Sequence, residues 1–139
     1  MGQQAIFGAG LLFWMAVGCG RSMTQPNLDQ PFELRPGETA TVVGPTLEIT
    51  FEAVEQDSRC PTDVTCVWEG DATVKVALSQ PSGPRQNVQL HTAGSLGRTA
   101  AYLGYEVELR ELQPQPRSTA AISPDQYRLT LAVHRAGAP

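Results

Sequence analysis

The side chains best able to do chemistry are concentrated in one run, Asp57–Asp71 (DSRCPTDVTCVWEGD). It holds four acids (Asp57, Asp63, Glu69, Asp71), the guanidinium of Arg59, the thiols Cys60 and Cys66, and Trp68. Oxygen-rich loops can hold Ca²⁺, but these acids do not follow the spacing of the helix-loop-helix calcium loop and Arg59 sits among them. Solvated acids and ion pairs are expected there. His91 and His134 lack a second His or Cys at ligand spacing, and Met23 is the only methionine after residue 18, so no zinc or Met/His copper site is expected. Both histidines fall on the polar phase of alternating runs, which predicts exposure. A catalytic nucleophile needs a neighbouring base and an oxyanion donor. Ser58, Ser95 and Ser118 lack a G-x-S-x-G setting, Glu106 and Glu108 read as ordinary exposed acids on one strand face, and Gly94-Ser95-Leu96-Gly97 precedes no helix that would make it a phosphate loop. No catalytic residue, metal or cofactor is assigned, and the chain is expected not to be an enzyme.

The elements that must carry these residues are short strands. Leu47, Ile49, Phe51 and Ala53 alternate with Glu48, Thr50 and Glu52, the period of a strand with one buried face. The same period recurs in Ala72–Leu78, Tyr105–Leu109 and Tyr127–Val133, and more briefly around Phe32–Leu34, Thr39–Val43 and Val88–Leu90. Val64, Cys66 and Trp68 also alternate. Arg35-Pro36-Gly37 and Pro81–Pro84 read as turns, Gln113–Ser123 as a loop, and Pro124-Asp125 as the opening of a helical turn. No window of useful length has a helical period. Seven or eight such strands predict an all-β antiparallel sandwich or barrel, a small sandwich being the expectation. Alternation favours antiparallel pairing, because parallel strands are usually apolar on both faces.

The chain has 139 residues, with 10 basic against 14 acidic side chains and a net charge of −4. There is no basic stripe, which argues against nucleic acid and anionic lipid surfaces as partners. Ala5–Val17 (AIFGAGLLFWMAV) is an uncharged, mostly apolar run of signal-peptide length, short of the roughly 20 residues a spanning helix needs. It ends in Ala16-Val17-Gly18-Cys19, which resembles the lipobox of bacterial lipoproteins, with Ala16 where that motif usually has Leu. The resemblance implies diacylglyceryl (palmitate-type) lipidation of Cys19 and cleavage just before it, leaving 121 residues. Lipidation of Cys19 removes one of three cysteines and leaves Cys60 and Cys66 as a natural pair, a disulfide in an oxidising compartment. A ring of that size stabilises by roughly 2–2.5 kcal/mol in the chain-entropy account. Gly20–Pro31 is polar and aperiodic and reads as a flexible tether, whose coil of about 12 residues spans roughly 20 Å and lifts the domain clear of the headgroups.

Asp57-Ser58-Arg59-Cys60-Pro61 followed by Cys66-x-Trp68-x-Gly70 resembles the core of a family of uncharacterised bacterial secreted proteins and lipoproteins. The resemblance extends to the Tyr105–Leu109 strand, the Leu112-Gln113-Pro114-Gln115-Pro116 loop and the closing Asp125-Gln126-Tyr127. It implies export and a shared fold, and brings no activity. Physically, Asp57 and Ser58 suit acceptance from nearby amides. Arg59 can donate five hydrogen bonds and bridge Asp57, Asp63 or Glu69. Trp68 is expected to pack on the disulfide, with its indole N–H on a carbonyl, and Gly70 permits a conformation other residues avoid. The alternative is that the loop, with Pro61, Trp68 and Glu69, is a recognition surface.

The expected organisation is a signal peptide over 1–18, a lipidated Cys19 and tether over 19–31, and one β-sandwich over 32–136. The expected function is that of a membrane-tethered, non-catalytic envelope module, binding or structural, with loop 56–71 as first contact surface. Its partners are the membrane, through Cys19, and an envelope protein or ligand not specified by the sequence. Gly20, rather than Asp, after the cysteine favours the outer membrane in a Gram-negative host. The rival is a protease-inhibitor-like or sensor module in which Pro61-Thr62-Asp63-Val64 projects outward; an enzyme ranks third.

Overall fold

Apolar residues at every second position come to lie on one face of a pleated strand, so that two such faces can close on each other. The computed structural model describes residues 23–137; the signal-peptide and lipidation expectations for 1–19 lie outside the described residues. Eight strands form: β1 (Phe32–Leu34), β2 (Thr39–Val42), β3 (Leu47–Asp57), β4 (Ala72–Ser79), β5 (Gln86–His91), β6 (Thr99–Tyr102), β7 (Tyr105–Gln113) and β8 (Arg128–Arg135). They make two four-stranded antiparallel sheets, in the orders β2-β3-β4-β5 and β1-β8-β7-β6. Leu47, Ile49 and Phe51 of β3 and Val74, Val76 and Leu78 of β4 share one core with Val107 and Leu109 of β7 and Leu129, Leu131 and Val133 of β8, all fully buried. Burial of each such side chain contributes about 1.5–3 kcal/mol. The fold is the antiparallel β-sandwich that the alternation predicts. Single 3₁₀ turns at Gly94–Leu96 and Pro124–Gln126 are the only helical pieces among the described residues.

Four local expectations are corrected. The run Val64–Trp68 is not a strand: ring closure leaves it no partner strand, and the eighth strand is instead β6, hydrogen-bonded to β7. Bulges in β3 between Phe51 and Ala53 and between Val54 and Gln56 shift its phase, so Ala53 is exposed and Val54 packs on the core. His91 and His134 are half-buried and paired with carboxylates rather than free in solvent.

The fourth concerns the tether. Thr24 forms a parallel bridge to Ala40, the Thr41 and Val43 N–H groups donate to the Thr24 and Pro26 carbonyls at 3.0 and 2.8 Å, and the Asp29 N–H donates to Val133 O at 2.8 Å. Leu28 packs against the core. Residues 24–30 are therefore part of the domain. Their polar composition does not prevent this, because the unpaired backbone groups of edge strand β2 take a partner whatever its side chains.

Candidate functional site

β3 ends at Asp57 and β4 begins at Ala72, and the segment between them crowns one end of the sandwich. At its root Arg59, with 9 % of its side chain exposed, forms a two-pronged pair with Asp57 (12 %), Nε to Oδ1 at 2.8 Å and Nη2 to Oδ2 at 2.7 Å. Arg59 also donates from Nη1 to Leu112 O at 2.7 Å and from Nη2 to Pro114 O at 2.9 Å, and Tyr127 Oη donates to Asp57 Oδ2 at 2.9 Å. Four of five guanidinium N–H groups are thus committed. Burial raises the Asp57 carboxyl, but the hydrogen bonds from Arg59 and Tyr127 and the Arg59 charge outweigh it, leaving Asp57 below the usual carboxylate range. Burial and the bond to Asp57 push the Tyr127 phenol up to about 12. This cluster ties β3 of one sheet to the end of β7 and the start of β8 in the other. Asp57-x-Arg59, the Leu112–Pro116 loop and Tyr127, far apart in sequence, converge on it.

Above this root the loop is pinned as a narrow neck. Ser58 N–H donates to Asp71 O at 2.7 Å and Cys60 N–H to Glu69 O at 3.0 Å. Gly70 has φ +69°, and a Cβ there would lie 1.9 Å from the Ser58 carbonyl oxygen. Only glycine allows the two arms to approach this closely. Cys60 and Cys66 are joined, with Cα atoms 5.9 Å apart. One side of the ring is docked on the β7–β8 loop. Thr62 N–H donates to Pro116 O at 3.0 Å, and Ser118 donates its N–H and hydroxyl to Asp63 at 2.9 and 2.5 Å, bonds that hold the Asp63 carboxyl below its ordinary range.

The other side is free. Val64 is exposed, Val67 is 90 % exposed and Trp68 is 80 % exposed. The expectation that Trp68 packs on the disulfide is therefore corrected. The ring is too small to cover an indole, and its inner side already faces Pro116–Ser118. Trp68 and its neighbours form an apolar tip on a braced loop.

The four acids of the segment do not converge. Asp57 pairs with Arg59, Asp63 with Ser118, and Glu69 is exposed. Asp71 accepts from His91 Nδ1 at 2.7 Å, Ala93 N at 2.9 Å and Thr92 Oγ1 at 3.3 Å. Burial raises the Asp71 carboxyl, but these bonds and the His91 charge bring it below the ordinary range. The Asp71–His91 pair fixes the loop to the end of β5, and the Thr73 hydroxyl lies against both of its members, 3.4 Å from Asp71 Oδ2 and 3.5 Å from His91 Nδ1. Among the described residues no group of three His, Cys, Asp or Glu side chains is arranged to hold a metal ion. A cleft of about 250 Å³ beside the neck is lined by Arg59, Glu69, Arg98, Arg110 and Glu111. Arg98 there is held by the carbonyls of Thr92, Leu109 and Arg110 at 2.7–3.2 Å. Sequence reasoning did not single out Arg98, and nothing in its composition or spacing marks it; its role depends on where three carbonyls meet.

No family model, no curated protein and no solved structure matches this chain. The Cys60–Cys66 bond fits an oxidising, exported environment. Among the described residues no helix is long and apolar enough to cross a membrane.

Proposed function

We propose that this chain is a lipid-anchored, non-catalytic module of the bacterial envelope that makes contact through the free arm of its disulfide loop, Val64–Glu69. The observation that carries this reading is the tip itself. Two residues as apolar as Val67 and Trp68 stand almost wholly in solvent on a loop braced by a disulfide, a buried Arg59 clamp and a docked inner side. Pre-organisation of this kind lowers the entropy lost on contact, and exposed apolar groups set on a rigid scaffold mark interaction sites. The anchor is supported by the apolar Ala5–Val17 run and the Ala16–Cys19 boundary.

The protease-inhibitor reading is weaker. Its Pro61–Val64 edge needs free backbone groups to pair with a protease, whereas Thr62 N–H and the Asp63 carboxylate are already bound to Pro116 and Ser118. Two measurements test the proposal. Mass spectrometry of the mature N-terminus is expected to find a diacylglyceryl thioether on Cys19; a free thiol there rejects the anchor. A photo-crosslinking residue at position 67, in the full chain in its own envelope, is expected to give adducts that the same residue at the exposed position 48 does not. Equal labelling at both sites rejects the loop as the contact surface.

A further inference from the structure

We infer that the cleft beside the loop neck is a binding site for a small zwitterion, an unblocked α-amino acid, whose carboxylate sits on Arg98 and whose ammonium is taken by Glu69 and Glu111. The inference is independent of the proposed anchor and of the apolar tip.

Three separate stretches meet at the cleft: the neck at Arg59 and Glu69–Gly70, the corner after β5 at Thr92–Ala93 with Arg98, and the end of β7 at Leu109–Leu112. Each wall is fixed. The neck is pinned by the bond from Cys60 N–H to Glu69 O and by the disulfide. The corner is tied to Asp71, which accepts from the Ala93 N–H at 2.9 Å. In β7 a bulge leaves Arg110 without a partner in β8, since Leu109 pairs with Leu131 and Glu111 with Thr130. Two charged side chains, Arg110 and Glu111, therefore follow one another on the exposed side between buried Leu109 and Leu112.

Arg98 supplies the cation. Its half-buried guanidinium donates from Nε to Leu109 O at 3.2 Å, from Nη1 to Thr92 O at 3.0 Å and from Nη2 to Arg110 O at 2.7 Å. One N–H remains on each Nη. Carbonyls orient a guanidinium without cancelling its charge, and among the described residues Arg98 forms no salt bridge. The other two arginines of the cleft are answered by acids outside its lining, Arg59 by Asp57 and Arg110 by Glu108. An oriented cation with N–H groups to spare is the partner of a carboxylate.

The acids supply the other half. Glu69 and Glu111 line the same cleft and are exposed; Glu111 accepts from Gln113 Nε2, and Glu69 has no side-chain partner among the described hydrogen bonds. With the two answered arginines set aside, the lining carries one cation and two carboxylates. A phosphate or sulfate dianion meets net repulsion there, whereas a ligand with one carboxylate and one ammonium finds a complement to each. The volume of about 250 Å³ falls below the roughly 300 Å³ at which pockets for drug-sized ligands begin, which suits a single amino acid.

The full chain, isotope-labelled and held in detergent micelles, is titrated with L-alanine, N-acetyl-L-alanine and L-alaninamide at constant pH and ionic strength, and its amides are read by NMR. Expected is a saturable shift of the Gly70, Ala93, Arg98 and Glu111 amides with L-alanine, at a Kd on the order of 1 mM, as suits so few contacts. Each blocked form lacks one charge and is expected to bind at least about tenfold more weakly. Because replacing Arg98 also strips three carbonyls of their donor, the variant is E69Q, at an exposed position. It is expected to lower the affinity for L-alanine about threefold and to leave that for N-acetyl-L-alanine unchanged. No saturable shift with L-alanine, or equal shifts with all three probes, overturns the site. N-acetyl-L-alanine binding as well as L-alanine assigns the cleft to a peptide carboxyl terminus, and L-alaninamide binding as well removes Arg98 from it; either result overturns the inference. All of these outcomes leave the anchor and the tip untouched.

Discussion

The molecule carries two carboxylate clusters of similar composition and very different setting. At the loop end, Asp57 is held by Arg59 and Tyr127, with both members of the ion pair nearly buried. At the opposite end, Asp29 and Glu108 flank His134, with Nδ1–Oδ1 at 2.6 Å and Nε2–Oε2 at 3.1 Å, and Asp29 itself largely exposed. The first uses a cation that does not lose its charge in water and spends its remaining N–H groups on Leu112 and Pro114 carbonyls. The second uses the one side chain that titrates near neutral pH. The first is a permanent rivet between the sheets; the second is a latch on residues 24–30. Burial decides the difference, because a buried pair is weakly screened and costly to break, whereas an exposed one is neither.

The largest expected effect is at the rivet. Arg59→Met leaves the Asp57 charge buried and two carbonyls without their donor, which should destabilise the domain by about 3–5 kcal/mol in urea unfolding followed by circular dichroism. Adding Asp57→Asn should recover part of this loss, since no uncompensated charge then remains. A single-variant loss no greater than that of a surface substitution, below about 0.5 kcal/mol, would break the comparison.

Next comes the ring. Replacing Cys60 and Cys66 together by Ala should destabilise by about 2–4 kcal/mol while the strands stay formed. Because Trp68 is already in solvent, its emission in the soluble mature chain should barely change on reduction. A marked brightening would mean that the sulfurs quench it and that the tip folds back on the ring.

Tyr127→Phe is smaller, about 0.5–1.5 kcal/mol near neutral pH, the usual range for one hydrogen bond. It also has a pH signature. The Tyr127 phenol is raised from 10.0 to about 12 in the fold, so the folded state resists its ionisation. Stability from this group is full below pH 10 and falls as pH rises from there through about 12. The Phe variant should lack that alkaline fall; an identical fall in both proteins would remove Tyr127 from the rivet.

These effects trace what was legible in the sequence. Period-2 runs with large apolar residues, Leu47–Phe51, Ala72–Leu78 and Leu129–Val133, became core strands because alternation reports burial directly. β6 (Thr99–Tyr102) carries almost no sequence signal, because only Tyr102 is buried in it and two alanines give almost no contrast. The bulge at Ala53 was invisible, since an extra backbone residue leaves no compositional mark. The Asp57–Arg59 pair was legible as one of three options for Arg59, but Tyr127 as its third member was not. Residue type shows that a phenol needs a partner, not that one from 70 positions away will reach Asp57. The residue type of Trp68 favours burial, yet it stands outside because the ring offers it no surface.

The smallest expected effect concerns the latch, and it separates the two clusters most cleanly. His134 is raised from its ordinary 6.5 chiefly by its hydrogen bond to Asp29; burial opposes this, and the bond to Glu108 and the charges of both carboxylates outweigh the opposition. Glu108 is shifted the other way: burial raises it, but Arg110 and His134 more than offset this and bring it below its ordinary 4.5. Glu106 is the cross-strand partner of His134, and Arg110 pairs with Glu108 beside it. A raised histidine contributes stability that is full below its ordinary value and is lost as pH rises through its folded one; a depressed carboxylate contributes above its ordinary value and loses it as pH falls. The latch should therefore be firmest between about pH 4.5 and 6.5 and loosen above neutrality. The readout is hydrogen exchange at the Thr41 and Val43 amides, whose acceptors are the Thr24 and Pro26 carbonyls. After correction for intrinsic rates, their protection should decline as pH rises above 6.5, while that of the Ser58 and Cys60 amides at the loop neck should not. His134→Gln, which keeps a hydrogen-bonding side chain but no titratable charge, should flatten the decline. A wild-type profile as flat as that of the variant would show that backbone pairing alone holds residues 24–30, and that the two clusters differ in burial without differing in function.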